Sequence, residues 1–182
     1  MSLHTGSVSP SVESARMAEV RPLGGLPAFV REEDLRRSIE LMFFAYRDFT
    51  GEADAMLASA GFGRAHHRAI YFIGRHPGIT VGGLLGILKI TKQSLSRVLR
   101  ELVAAGYVHQ DTGARDRRQR LLALTARGET LERDLTARQQ ARFVRAFSES
   151  GAPAMEGFHR VLLGMLNPDE RPEIERQLTR GR

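Results

Sequence analysis

Apolar residues recur every three or four positions through most of this chain, and the breaks in that rhythm mark out six helices and one hairpin. From residue 32 to about residue 60, Leu35, Ile39, Met42, Tyr46, Phe49, Ala53, Met56 and Ala60 keep the period of one long amphipathic helix. Glu32, Glu33 and Asp34 sit in its first turn, where negative charge complements the helix dipole. Phe43 and Phe44 widen the stripe beyond what one small domain covers, which predicts a second buried face, a subunit contact. Gly61 and Gly63 break this helix. A short one follows over residues 64–74, with Ala69, Ile70, Phe72 and Ile73 apolar, and His76, Pro77 and Gly78 stop it.

The next stretch, residues 80–125, organises the rest. Thr80 caps a helix carrying Val81, Leu84, Leu85 and Leu88, and Gly82, Gly83 and Gly86 lie inside it at roughly 1 kcal/mol each against alanine. Only Lys89, Ile90 and Thr91 separate it from the following helix, with Thr91 as N-cap, so the two read as a helix-turn-helix. The second helix has two faces. Leu95, Val98, Leu99 and Leu102 form the stripe to be buried, and Gln93, Ser96, Arg97 and Arg100 repeat that spacing on the other side. Amide, hydroxyl and guanidinium groups on a rigid rod suit base edges and phosphates in a major groove, since Arg matches guanine and Gln matches adenine. Thr91, Lys92 and Ser94 stand at the end of that rod and are counted with the DNA-binding set.

Gly106 ends the helix and Tyr107 and Val108 open a β-prone run. Asp111, Thr112 and Gly113 read as a turn, Arg115, Asp116, Arg117, Arg118, Gln119 and Arg120 as a basic tip, and Leu121 to Leu124 as a returning strand. Such a wing reaches flanking phosphate or minor groove. Thr125 caps a long helix through Leu131, Leu135, Val144 and Phe147; residues 148–153 break it; Met155, Phe158, Leu162 and Met165 define a last helix ended by Asn167 and Pro168. The expected fold is mostly α with a small β-wing: a winged helix-turn-helix plus long terminal helices. The expected division is a flexible arm (1–28), helical dimerisation regions (29–62 and 126–168), the winged unit (63–125) and a charged tail free to fray (169–182).

Charge sharpens this picture. Of the net +6, residues 61–127 hold 12 Lys and Arg against 3 Asp and Glu, while the preceding sixty residues are net acidic. Basic charge concentrated on the predicted reading unit points to a local polyanion site. With no cysteine there is no disulfide framework, thiolate metal cluster or thiol peroxide sensor. No apolar run reaches the ~18 residues of a membrane span, and Glu13 and Glu19 interrupt any signal-peptide core, so a cytoplasmic protein with no membrane association is expected. No G-x-S-x-G, phosphate loop or H-E-x-x-H pattern occurs, and neither enzyme activity nor a cofactor is expected. His66 and His67 are adjacent and project about 100° apart on a helix, so one ion cannot readily take both, although either could join Glu40, Asp48 or His109. No metal site is expected.

Taken together these residues resemble the MarR family of bacterial transcription regulators. The resemblance rests on Asp116, Arg117 and Arg118 followed by a short strand and Leu124, Thr125, Ala126, Arg127 and Gly128, and on TKQSLSRVLRELVAAGYV; it covers residues 32–166. RAHHRAIYFIGRHPGITV is most similar to the PetP-type group. The resemblance implies a homodimer on double-stranded DNA, with two recognition helices in successive major grooves of a pseudo-palindrome. It implies that Asp116 orients the wing arginines and Arg118 enters the minor groove, leaving Arg115, Arg117 and Arg120 to phosphates. It further implies a small-molecule effector, often aromatic or anionic, between dimerisation helices and winged unit; Tyr46, Phe49, Phe62, His66 and Tyr71 are the candidates, with a packed core as the competing reading. A winged-helix protein-docking or non-specific nucleic-acid-binding module is the alternative function.

Overall fold

The computed structural model of the chain describes residues 27–113 and 119–180. Its elements are α1 (Glu32–Ala58), α2 (Arg64–Arg75), β1 (Ile79–Thr80), α3 (Val81–Leu88), α4 (Lys92–Ala104), β2 (Val108–Thr112), β3 (Arg120–Leu124), α5 (Ala126–Ser150), α6 (Ala152–Met165) and α7 (Arg171–Arg180). The mostly helical fold with a small sheet is the one the periodicity predicts. The arm expected over residues 1–28 falls almost wholly outside the described residues.

Chain contacts divide into one unit ending at Leu41 and another beginning at Met42. In the first, Arg31 pairs with Asp34 at 2.8 Å and Arg36 with Glu32 at 3.0 Å, spacings that support a helix start. In the second, α2, α3, α4 and the sheet enclose the main core. Ala69, Ile70, Ile73, Leu84, Leu95, Leu102 and Leu122 are fully buried there, with Val98, Leu99 and Val108 nearly so. A second cluster of Ala53, Leu57 and Leu135 joins the end of α1 to α5. The Leu and Val stripe of α4 thus lies wholly inside, each large side chain contributing about 1.5–3 kcal/mol of burial.

The caps fall where the sequence places them. Thr80, Thr91 and Thr125 each accept a backbone N–H three residues on, from Gly83, Ser94 and Gly128. Gly106 takes φ +74°; its N–H donates to the Val103 carbonyl and that of Tyr107 to the Leu102 carbonyl, closing α4 in a Schellman turn. Of the three glycines in α3, only Gly83 is closely packed, since an added Cβ would stand 3.1 Å from Ile79.

Three features depart from the sequence reading. The sheet has three strands in the order β1-β3-β2, because Ile79 and Thr80 pair with Leu122 and Leu121, a bridge too short to leave an alternation in sequence. Asp111 and Thr112 are not turn residues: they continue β2 opposite Leu121 and Arg120, and Gly113 N–H bonds to the Gln119 carbonyl. Cross-strand pairing overrides their turn propensity. The charged tail, expected to fray, forms α7 instead, held by Arg171 to Glu175 at 2.8 Å and by Gln177 and Arg176 on Glu173.

Candidate nucleic-acid interface

Burial of Leu95, Val98, Leu99 and Leu102 fixes the rotation of α4 and so turns its polar side outward. Lys92, Gln93, Ser94, Ser96, Arg97 and Arg100 are all exposed, as is Thr91 before them. The two ends of that row have different local roles. Thr91 Oγ1 accepts the Ser94 N–H at 3.1 Å and donates to Ser94 Oγ at 2.9 Å, so this pair is engaged in capping. Gln93, beside that pair, and Ser96, Arg97 and Arg100, in the turns that follow, are exposed. Lys89 caps α3 in the left-handed conformation, φ +52°, and pairs with Glu170 at 3.0 Å.

Strands β2 and β3 carry the hairpin beside α4. Of the tip, Gln119 and Arg120 are within the described set, and Arg120 lies in β3 and donates to Thr112 Oγ1 at 3.2 Å. Arg115, Asp116, Arg117 and Arg118 lie outside the described residues. On β2, His109 approaches Asp111 at 3.3 Å, two exposed side chains on one face of the strand.

The join between α4, hairpin and α5 depends on contacts the sequence gave little sign of. Thr125 N–H donates to the Tyr107 carbonyl at 3.0 Å and its hydroxyl to the Gly106 carbonyl at 2.7 Å. Arg127 donates to the Ala105 carbonyl at 3.0 Å and to the Tyr107 hydroxyl at 3.1 Å, its guanidinium 4.4 Å above the Tyr107 ring. A cation on the last carbonyls of α4 complements the helix dipole and ties its end to α5.

A cavity of about 370 Å³ opens between α1, α2 and α5, bordered by Tyr46, Phe49, Arg64, His67, Arg68, Tyr71 and Phe143 among others. It gathers three of the five effector candidates, Tyr46, Phe49 and Tyr71. Phe62 and His66 are elsewhere: Phe62 stacks on His66 at 4.7 Å and meets the Tyr107 ring edge-on at 5.6 Å, a core position. His66 is 7% exposed; its Nδ1 accepts the Gly63 N–H at 3.2 Å and its Nε2 lies 2.6 Å from Glu101 Oε2. The cavity instead takes His67, which burial holds below its ordinary pKa, Arg68 adding to the depression while Asp54 and Glu132 oppose it. Arg68 donates to the Tyr46 hydroxyl at 2.7 Å and Arg64 to Asp54 at 2.7 Å. Among the described residues no three His, Asp or Glu side chains cluster as metal ligands.

The model of the MarR family matches residues 60–119, from just after α1 to just before β3. The chain is also 48% identical over 147 residues to the HTH-type transcriptional regulator PetP of Rhodobacter capsulatus, covering 81% of this chain and 89% of that one. This chain belongs to the MarR family. Solved MarR structures share its fold: a MarR family transcription regulator superposes with a TM-score of 0.62 at 23% identity, over 73% of this chain and 88% of that one. A MarR family protein of Mycobacterium tuberculosis, solved in complex with p-aminosalicylic acid, aligns with a TM-score of 0.50 at 25% identity, over 68% of this chain and 93% of that one. The MarR relatives are transcriptional regulators, and among the described residues no helix is long and apolar enough to cross a membrane.

Proposed function

We propose that this MarR-family regulator binds a pseudo-palindromic operator in double-stranded DNA as a homodimer, and that a small aromatic anion releases it. The observation that carries the reading is the rotation of α4: four apolar side chains buried to within 4% exposure on one face, and Gln93, Ser96, Arg97 and Arg100 exposed on the other. Gln93, Arg97 and Arg100 reach base edges, Thr91, Lys92, Ser94 and Ser96 meet the backbone at the groove rim, and Arg115, Arg117, Arg118 and Arg120 take flanking phosphates and minor groove, with Asp116 orienting them. One short helix offers few base contacts, and two-fold symmetry doubles them at a spacing of roughly 34 Å.

Dimerisation is supported by apolar surface that one chain leaves open. Helix α6 has no buried residue, and Val161 and Met165 are more than 60% exposed, as is Phe43 of α1. Large apolar side chains left this exposed are consistent with an interaction surface. Residues 29–62 and 126–168 supply the dimer contact, and residues 63–125 the reading unit.

The effector reading rests on the aromatic cavity beside Arg64, His67 and Arg68, and on the salicylic acid and p-aminosalicylic acid complexes of the Mycobacterium tuberculosis relative. The test is binding to a genome-derived duplex library across a salt series, by wild type and an Arg97→Ala/Arg118→Ala variant, with and without salicylate. The expected result is one enriched pseudo-palindrome, a steep salt slope flattened by the double change, and release by salicylate. Weak binding with no enriched site overturns the DNA reading in favour of a protein-docking module. Enrichment unaffected by salicylate overturns only the effector class.

A further inference from the structure

We propose that Glu101, held in place by His66, is a positioning residue that sets the Arg97 guanidinium for base reading; this rests on the reading of α4 as the DNA-contacting helix. An arginine and a glutamate four residues apart on a helix surface ordinarily form a weak pair, because both side chains keep their rotamer freedom. Here one partner is fixed from outside the helix. His66 Nδ1 accepts the Gly63 N–H at 3.2 Å, so Nε2 carries the proton of the neutral ring and donates to Glu101 Oε2 at 2.6 Å. The ring is itself held by its stack on Phe62 at 4.7 Å and is almost wholly buried.

The carboxylate therefore stands at a defined place on the exposed surface, and its second oxygen, Oε1, lies 3.9 Å from Arg97 Nε. That arrangement draws the Nε side of the guanidinium toward Glu101 and leaves the two Nη groups for a bidentate acceptor, such as O6 and N7 of guanine. Restricting an arginine before DNA arrives lowers the ordering cost of the contact and disfavours bases that need another orientation. Glu101 itself touches no base; it acts through Arg97.

The experiment uses the full-length dimer and the duplex enriched by wild type, with its single-base-pair variants. Glu101→Gln and His66→Phe are each made with Arg97 intact and in an Arg97→Ala background. Phenylalanine keeps the stack on Phe62 but removes the donor. With Arg97 present, each change should lower discrimination at the base pair Arg97 reads by about three- to tenfold, and in the Arg97→Ala background its effect should fall to within about twofold. A loss of equal size in both backgrounds, or unchanged discrimination with Arg97 present, overturns the proposal while leaving the DNA reading intact. Should Arg97→Ala leave discrimination unchanged at every position, the reading of Arg97 as a base contact fails, and the proposal fails with it. Glu101→Gln alters a half-buried side chain at constant volume and supplies the answer even where His66→Phe does not fold.

Discussion

Replacing Gly128 by alanine should destabilise the protein by about 2–4 kcal/mol, although alanine is the better helix former. A Cβ at that position would stand 2.0 Å from the Tyr107 carbonyl oxygen, 3.0 Å from its carbon and 3.2 Å from Leu124 Cβ. Two of these are backbone atoms and cannot rotate away. Relief requires the first turn of α5 to lift off the start of the hairpin. That movement stretches the Thr125 N–H bond to the Tyr107 carbonyl at 3.0 Å and the Thr125 hydroxyl bond to the Gly106 carbonyl at 2.7 Å. Overpacking costs roughly 1–3 kcal/mol and each weakened hydrogen bond about 1, against a propensity gain of at most about 1. For a chain of this size that is a fall in Tm of about 5–12 °C, read by circular dichroism at fixed protomer concentration. Gly86, in the middle of α3 with nothing within 4 Å of an added Cβ, is the control. Gly86→Ala should stabilise by about 0.5–1 kcal/mol. A Gly128→Ala protein melting at or above wild type would refute the close approach.

Two further outcomes follow from contacts made by α5 and α2. Arg127→Ala removes two hydrogen bonds and the stack on Tyr107 and should cost about 1–2 kcal/mol in urea unfolding, and Arg127→Lys should restore less than half, since it lacks the planar fork. Burial lowers the pKa of His67, so as pH falls below its ordinary 6.5 the unfolded chain takes up the proton before the folded one does. Stability should therefore be full above that value and decline as pH drops toward the lower folded value; His67→Gln should flatten the decline in urea midpoints between pH 7 and 5, and an unchanged slope would show that His67 does not titrate this way.

Helix boundaries were readable because each depends on short-range chemistry. A threonine hydroxyl on the third N–H, or a glycine free to turn left-handed, is written in a few adjacent residues, and Thr80, Thr91, Thr125 and Gly106 act as their positions predict. The face of α4 was readable for the same reason, since Leu95, Val98, Leu99 and Leu102 share one spacing. What escaped depends on pairing between distant segments. Ile79 and Thr80 become a strand only because β3 passes beside them, and Asp111 and Thr112 stay in β2 for the same reason. In α7 it was the charge that misled: a run of charges reads as a solvated tail until arginine and glutamate fall three and four apart and Ile174 finds partial cover.

The adjacent histidines show most sharply where sequence reasoning stops. Spacing established that His66 and His67 point about 100° apart, which argued against a shared metal ion. It could not supply their partners, 35 residues away in one case. In the folded chain His67 borders the aromatic cavity, and His66 grips Glu101 on α4. Helix α2 therefore lines the cavity with His67 and holds α4 through the preceding residue. Ala69, Ile70 and Ile73 anchor α2 in the main core, so both histidines are placed by one packed element. The proposed operator contact and the proposed effector site therefore share one element.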